Sequence, residues 1–462
     1  MGANPTTSPV EQQPLSGNKW KLPFFTIWTG QAFSLLGSQL VQFALIWWLT
    51  QTTGSATVLA TASLVGLLPQ VFLAPLAGAL VDRWSRRATM IIADSAVALG
   101  TGVLALLFWS GQIQVWHVYL VMFLRATAGG FHWTAMQAST SLMVPKKHLS
   151  RIQGLNQTLN GAMNIGSAPL GALLLGILPM QGILMIDILT AALAVFPLFF
   201  IAIPQPKRAA AADGQAGESS VWQDFKAGLK YMRGWPGMLL IALMATIINL
   251  LLNPAIALMP ILVSDHFSGE ALQLAWMESS WGVGVVAGGL LLSGWGGFRR
   301  QVLTMLLGLG LLGAGMSLIG IIPSAAFMAV IPLMFLVGVS NPITNGPLFA
   351  ILQSVVAPEM QGRVFTLLMS AASAMSPLGL IIAGPVADSF GVQTWYLAGG
   401  VVTLLMGLGA FFVPAIMQIE KGHPVETIPT QDEGKDESGL SRDGMDLPGE
   451  IEPDPYAPYP GD

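Results

Sequence analysis

The sixty consecutive residues from Leu22 to Val81 contain no Asp, Glu, Lys or Arg. Apolar runs recur beyond that point up to position 414, each closed by turn or charged residues. A run of about 20 apolar residues crosses the roughly 30 Å hydrocarbon core of a bilayer as a helix. It must be a helix, because lipid offers no partner to a free backbone N–H or C=O. The periodicity predicts twelve spans: 24–50, 56–80, 88–109, 115–138, 154–177 and 182–203, then 238–262, 271–296, 302–321, 326–350, 365–387 and 393–414.

The connection between the sixth and seventh spans differs in kind. It opens with PQPKRAAAADGQAGESS, a flexible linker by composition. In the following VWQDFKAGLKYMRGWPG, Trp222, Phe225, Leu229 and Met232 share one helical face, with Lys226, Lys230 and Arg233 elsewhere. That pattern suits an amphipathic helix on the membrane surface, or one packed on the span bundle.

Composition agrees with a membrane chain. Hydrophobic residues make up 53% of the 462 and charged residues 10%, where soluble proteins carry about 25% charged residues. There is no cysteine, so disulfides, thiolate chemistry and Cys-ligated metals are excluded. The five histidines show no metal-site spacing, and no phosphate-cradling Gly-x-x-x-x-Gly-Lys-Ser/Thr loop occurs. No cofactor is expected, therefore, and ATP is not the energy source through this chain. With no catalytic constellation and no large extramembrane domain, an enzyme is not expected either, and nothing points to nucleic acid. The first run is too long for the apolar part of a signal peptide and reads as an uncleaved span.

The net charge of −4 hides a division: −9 from His423 onward and +5 in the remainder. The acidic, Pro/Gly-rich tail has little to bury and should be disordered. Among the connections, Lys and Arg fall in the N-terminal segment and in every even-numbered loop through the tenth. The odd-numbered loops hold only Asp265, Glu270 and Asp388 among the charges. The positive-inside rule then places both termini in the cytoplasm. The expected organisation is a cytoplasmic segment 1–18, a six-helix bundle 19–203, a cytoplasmic linker 204–236, a second six-helix bundle 237–420, and a cytoplasmic tail 421–462.

The two halves resemble each other. VMFLRATAGG (121–130) matches LMFLVGVSNP (333–342), and SAPLGALLLG (167–176) matches MSPLGLIIAG (375–384), each pair at the same ordinal span of its half. Paired bundles related by an axis along the membrane normal are one transporter architecture, with the substrate site between them near the midplane.

The turn GALVDRWSRRATM (78–90) puts four charges into six residues after the long neutral stretch. Gly78, Leu80, Asp82, Arg83, Arg86 and Arg87 fit the signature between the second and third spans of the major facilitator superfamily, with Ser85 where that signature has a second Gly. Arg125 and Gly129 fit its fourth-span signature, and Ala168, Pro169 and Gly171 part of its fifth-span antiporter signature. From about residue 18 to 420 the chain resembles that superfamily, and within it is most similar to the macrolide-efflux group of drug:proton antiporters. The first span from Phe25, the VPKKHLSRIQGL turn and the linker helix carry that closer similarity.

The resemblance implies an all-α fold of twelve transmembrane helices in two pseudo-symmetric six-helix bundles. It implies rocker-switch export of an amphipathic compound, macrolide-type, driven by the proton gradient, with spans one, four, seven and ten around the cavity. Gly78, Asp82, Arg83, Arg86 and Arg87 would form a cytoplasmic gate joining the halves in the outward-facing state; the alternative is that these arginines only set topology. Export or import of another small molecule, such as a siderophore or nutrient, also fits. So, less well, does a receptor or lipid-handling scaffold on the same frame. The expected partners are a small-molecule substrate and the bilayer, and the expected state is a monomer.

A charge at mid-membrane costs roughly 2.5–3.5 kcal/mol on insertion scales, so each one needs a reason. Asp94, Arg125, Asp187 and Glu278 are the candidates for proton coupling, or else for permanent buried pairs. Arg125 and Asp94 differ in depth by only about a turn, close enough to pair. Polar stripes mark a candidate cavity: Gln31, Ser34, Ser38 and Gln42 in the first span; Gly129 and His132 in the fourth; Gln157, Asn160 and Asn164 in the fifth; Thr246, Asn249 and Asn253 in the seventh; Asn341, Thr344 and Asn345 in the tenth. Any one of them serves equally well as an interhelical hydrogen bond.

Overall fold

The computed structural model describes residues 20–203, 226 and 229–421, without the side chains of Gln70, Val71, residues 74–79, Asp82, Lys146, Pro358 and Glu359. The expected N-terminal segment, most of the linker and the acidic tail lie outside the described residues, as does the side chain of Asp82.

Twelve long helices among the described residues follow the predicted spans in order. They are α1 (Lys21–Thr53), α2 (Ala56–Arg83), α3 (Arg86–Ser110), α4 (Val115–Met143), α5 (Leu149–Ile177), α6 (Met180–Phe200), α7 (Pro236–Ala257), α8 (Ala271–Trp295), α9 (Gln301–Ile321), α10 (Val330–Val355), α11 (Pro358–Phe390) and α12 (Val392–Ala410). Among the described residues, eight of these are long and apolar enough to cross a bilayer by length and composition; the four exceptions are α2, whose second half is described only in part, α4, α5 and α8. Glu278 lies in α8 and Arg125 in α4, so two of the four exceptions contain charges that lower their hydropathy.

Turn chemistry sets the boundaries. Gly54, Gly111 and Gly296 end α1, α3 and α8 at φ of 58°, 70° and 75°, a left-handed conformation that favours glycine. Ser85 is the N-cap of α3 and accepts from the Ala88 N–H at 3.3 Å. Its φ of −70° needs no glycine, which explains how this turn tolerates Ser at that signature position. The predicted seventh span is interrupted: α7 stops at Ala257, a short helix covers Met259–Ile261, and a π-helix follows at Leu262–His266. Pro254 and Pro260 bracket the break, each lacking the N–H a continuous helix would use.

Each half repeats one packing plan. In the first, α1 packs on α5 and α6, α3 on α4 and α6, and α2 on α4; in the second, α7 packs on α11 and α12, α9 on α10 and α12, and α8 on α10. The halves meet through α2 with α11 and α5 with α8, and a two-fold axis exchanges these two contacts.

The buried apolar side chains are distributed unevenly. At the end opposite the Arg-rich turn, one core joins both halves, from Leu40–Leu49 and Ala56–Ala62 to Leu252–Val263 and Leu380–Tyr396. At the basic end the described residues form two separate cores. One gathers Phe24, Val81, Met90 and Ile152 of the first half, the other Met238, Val302, Leu352 and Val364 of the second. Among the described side chains, the core that joins the halves lies at the far end, and none joins them at the basic end. Met232 and Trp235, at the described end of the linker, are buried in the second of these cores, so that segment packs on the bundle. Trp109 and Trp116, near the far-end tips of α3 and α4, are exposed, as suits interfacial anchors, whereas Trp20 and Trp47 are buried.

Candidate functional site

Two cavities hold most of the predicted polar residues. The first, about 480 Å³, lies between the halves. It runs from Ile241 and Met305 near the basic end to Met259 and Met334 near the far end, and Gln42, Asn164, Asn249, Asn253, Asn341 and Asn345 all line it. Its wall is otherwise apolar, with Met244, Met316, Trp281 and Tyr396 prominent, and Glu278 is the one charged residue among its lining. Methionine and aromatic surfaces adapt to bulky apolar ligands, while a few polar groups orient them.

The asparagines are partly engaged with the helices that carry them. Asn249 donates to the Ala245 carbonyl (2.9 Å) and Asn345 to the Asn341 carbonyl (3.1 Å). Asn253 donates to Asn249 Oδ1 (2.9 Å) and to Ser376 Oγ (2.5 Å). Tyr396 keeps its hydroxyl satisfied on the Ala255 carbonyl at 2.6 Å, leaving its ring to the cavity.

The second cavity, about 500 Å³, lies within the first half and is lined by Gln31, Ser38, Gln42, Asp94, Arg125, Gly129 and His132. Here the structure decides a pairing that the sequence left open. Arg125 pairs with Asp187, not Asp94: its Nη1 is 2.6 Å from Asp187 Oδ2. The same carboxylate accepts from Thr101 Oγ1 (2.9 Å) and Ser38 Oγ (3.1 Å), and Arg125 also donates to Thr101 Oγ1 (2.8 Å) and the Ser38 carbonyl (3.1 Å). The direction Arg125 takes from α4, toward Asp187 on α6 and the Ser38 carbonyl on α1, sets this pairing. Asp94 instead accepts from Gln31 Nε2 at 3.0 Å and stands 3.6 Å from His132 Nε2, which has no hydrogen-bond partner. Asp187 is 1% exposed and fully engaged, whereas Asp94 and His132 form a looser pair open to the cavity.

The remaining predicted residues fall elsewhere. Asn160 is half-buried and lines neither cavity. Gly78 and Asp82 lie on the last turns of α2. Arg86 donates to the Ala138 carbonyl (2.8 Å) and Arg87 to the Phe199 carbonyl (2.6 Å), so these bonds tie the turn to α4 and α6 of its own half. Arg83 is exposed. Sequence reasoning missed Thr101, Ser376 and the cavity methionines. Single hydroxyls and methionines in apolar helices carry no periodic signal, and only the helix arrangement turns them inward.

Two pseudo-symmetric helical halves enclosing a central cavity are the architecture of a membrane transporter built from two repeated bundles. The chain belongs to the Major Facilitator Superfamily, whose sequence pattern matches residues 27–380. It is 33% identical over 404 residues to macrolide efflux protein A of Streptococcus pyogenes, covering 87% of this chain and 98% of that one. It is 27% identical to the multidrug efflux pump Tap of Mycolicibacterium fortuitum, over 83% of this chain and 94% of the relative. A bacterial homologue of the human lysosomal transporter Spinster, solved inward-facing and unoccupied, shares the fold with a TM-score of 0.62 at 11% identity, covering 88% and 98% of the two chains. The protein is therefore a membrane-embedded transporter of this superfamily, with efflux proteins among its relatives.

Proposed function

We propose that the chain exports an amphipathic, macrolide-type compound from the cytoplasm in exchange for protons. The observation that carries this reading is the central cavity, where Met and aromatic walls surround a ring of asparagines and one carboxyl group, Glu278. The similarity to macrolide efflux proteins supports the cargo class. The cavity reaches toward the basic end, which the positive-inside rule assigns to the cytoplasm together with both termini. In that state Glu278 gives up its proton to the cytoplasm as cargo enters. After the halves rock over, it is reprotonated from the outer side as cargo leaves.

Asp94, beside Gln31 and His132, is the second coupling candidate. Gly78, Asp82, Arg83, Arg86 and Arg87 would join the halves at the basic end when the far mouth opens. The working unit is a single chain in the cytoplasmic membrane, with no cofactor beyond the proton gradient.

The test is uptake of a labelled macrolide by everted vesicles with an acid interior. The intact protein should accumulate label when the gradient is imposed, and Glu278→Gln should reduce gradient-driven accumulation at least tenfold. Unchanged accumulation by Glu278→Gln removes that residue as proton carrier. No macrolide movement by the intact protein under any gradient removes the cargo.

A further inference from the structure

Asp388, on the last turn of α11, accepts three hydrogen bonds from the other half of the molecule. The donors are Ser55 Oγ (3.0 Å) and the backbone N–H groups of Ala56 (2.6 Å) and Thr57 (3.0 Å), all at the start of α2. The Ser55 hydroxyl also accepts from the Val58 N–H, so side chains from both halves share the unpaired donors of one helix N-terminus. A carboxylate there is favoured by the aligned peptide dipoles and by charge-assisted bonds.

One turn back along α11, Gly384 lets the two backbones close up. A Cβ there would stand 2.8 Å from Thr57 Cα and 3.1 Å from Ala60 Cβ. Ala56, Leu59, Ala60, Ala383 and Ala387 belong to the core that spans both halves at this end.

We propose that Asp388 is a latch on the far mouth: it holds α11 against α2 while the basic mouth is open, and its release accompanies opening of the far mouth. The three bonds exist only while the two helix ends touch, so opening that mouth must break all of them together. Asp388 is itself exposed, so water replaces the lost partners. The latch therefore biases the equilibrium between the two states without locking it. This rests on the alternating-access reading but not on the cargo or the coupling ion.

The chain has no cysteine, so introduced pairs can be labelled cleanly. Spin labels at Gln112→Cys with Thr394→Cys report the far mouth, and at Ser150→Cys with Ser354→Cys the basic mouth. In the full-length protein in nanodiscs, Asp388→Ala should raise the ratio of far-open to far-closed molecules about tenfold. That ratio corresponds to about 1.4 kcal/mol, within the range for a lost helix cap. Asp388→Asn keeps an acceptor and should shift the ratio less than half as far on a logarithmic scale. Gly384→Val, which wedges the same interface and leaves the carboxylate intact, should also favour the far-open state.

An unchanged ratio in Asp388→Ala, with Gly384→Val shifting it, overturns the latch and leaves alternating access standing. Label distances that never change in the unsubstituted background, under any gradient or cargo, overturn both.

Discussion

Replacing Arg125 tests the network at the heart of the first half. Asp187 is 1% exposed, and its three side-chain donors are Arg125, Thr101 and Ser38. Arg125→Met removes the only cation and leaves a carboxylate with two neutral donors. Stripping one partner from a buried ion pair costs about 3–5 kcal/mol, whereas a neutral polar pair between membrane helices averages about 0.6 kcal/mol. Arg125→Met should therefore destabilise by about 3 kcal/mol, while Ser38→Ala or Thr101→Val should cost under about 1 kcal/mol each.

The double variant Arg125→Met/Asp187→Leu removes both charges at once. It should recover at least about half the loss seen with Arg125→Met, because no lone charge remains in the bundle. The assay is reversible unfolding in mixed micelles at rising detergent denaturant, comparing all four members of the cycle. Additive single losses, or Arg125→Met within about 1 kcal/mol of the parent, would refute the pairing as a structural brace.

Two further outcomes follow from local geometry. Ser85→Ala removes the α3 cap and should lower stability by about 1 kcal/mol, while Ser85→Gly costs only a few tenths, both read by the same unfolding titration. At Gly284 a side chain would meet the Gly338 Cα at 3.0 Å, so Gly284→Val should force α8 off α10. The expected result is loss of monodisperse protein on size exclusion, and normal behaviour would show that the contact can relax.

The spans were legible because the lipid environment leaves only helices as a solution, and a run such as Leu22–Val81 carries that constraint directly. The twofold repeat was legible for a similar reason: SAPLGALLLG and MSPLGLIIAG place Gly171 and Gly379 where α5 and α11 close on α1 and α7. Candidate charges were also visible one by one, since each stands out against an apolar background. Their partners were not. Arg125 lies close to Asp94 in depth, yet its pairing with Asp187 depends on the rotation of α4 and α6 about their own axes.

The order of residues therefore carries one-dimensional information: which segments enter the membrane, where they turn, and that two halves share one plan. Tertiary structure alone decided which face of each helix looks inward and at which end a shared core joins the halves. It set Glu278 in the central cavity, Asp94 beside His132, and Asp388 on the neighbouring half. The physical reason is that hydropathy constrains position along the membrane normal, while packing between helices fixes rotation and lateral neighbours, and uniformly apolar helices carry little periodic signal for either.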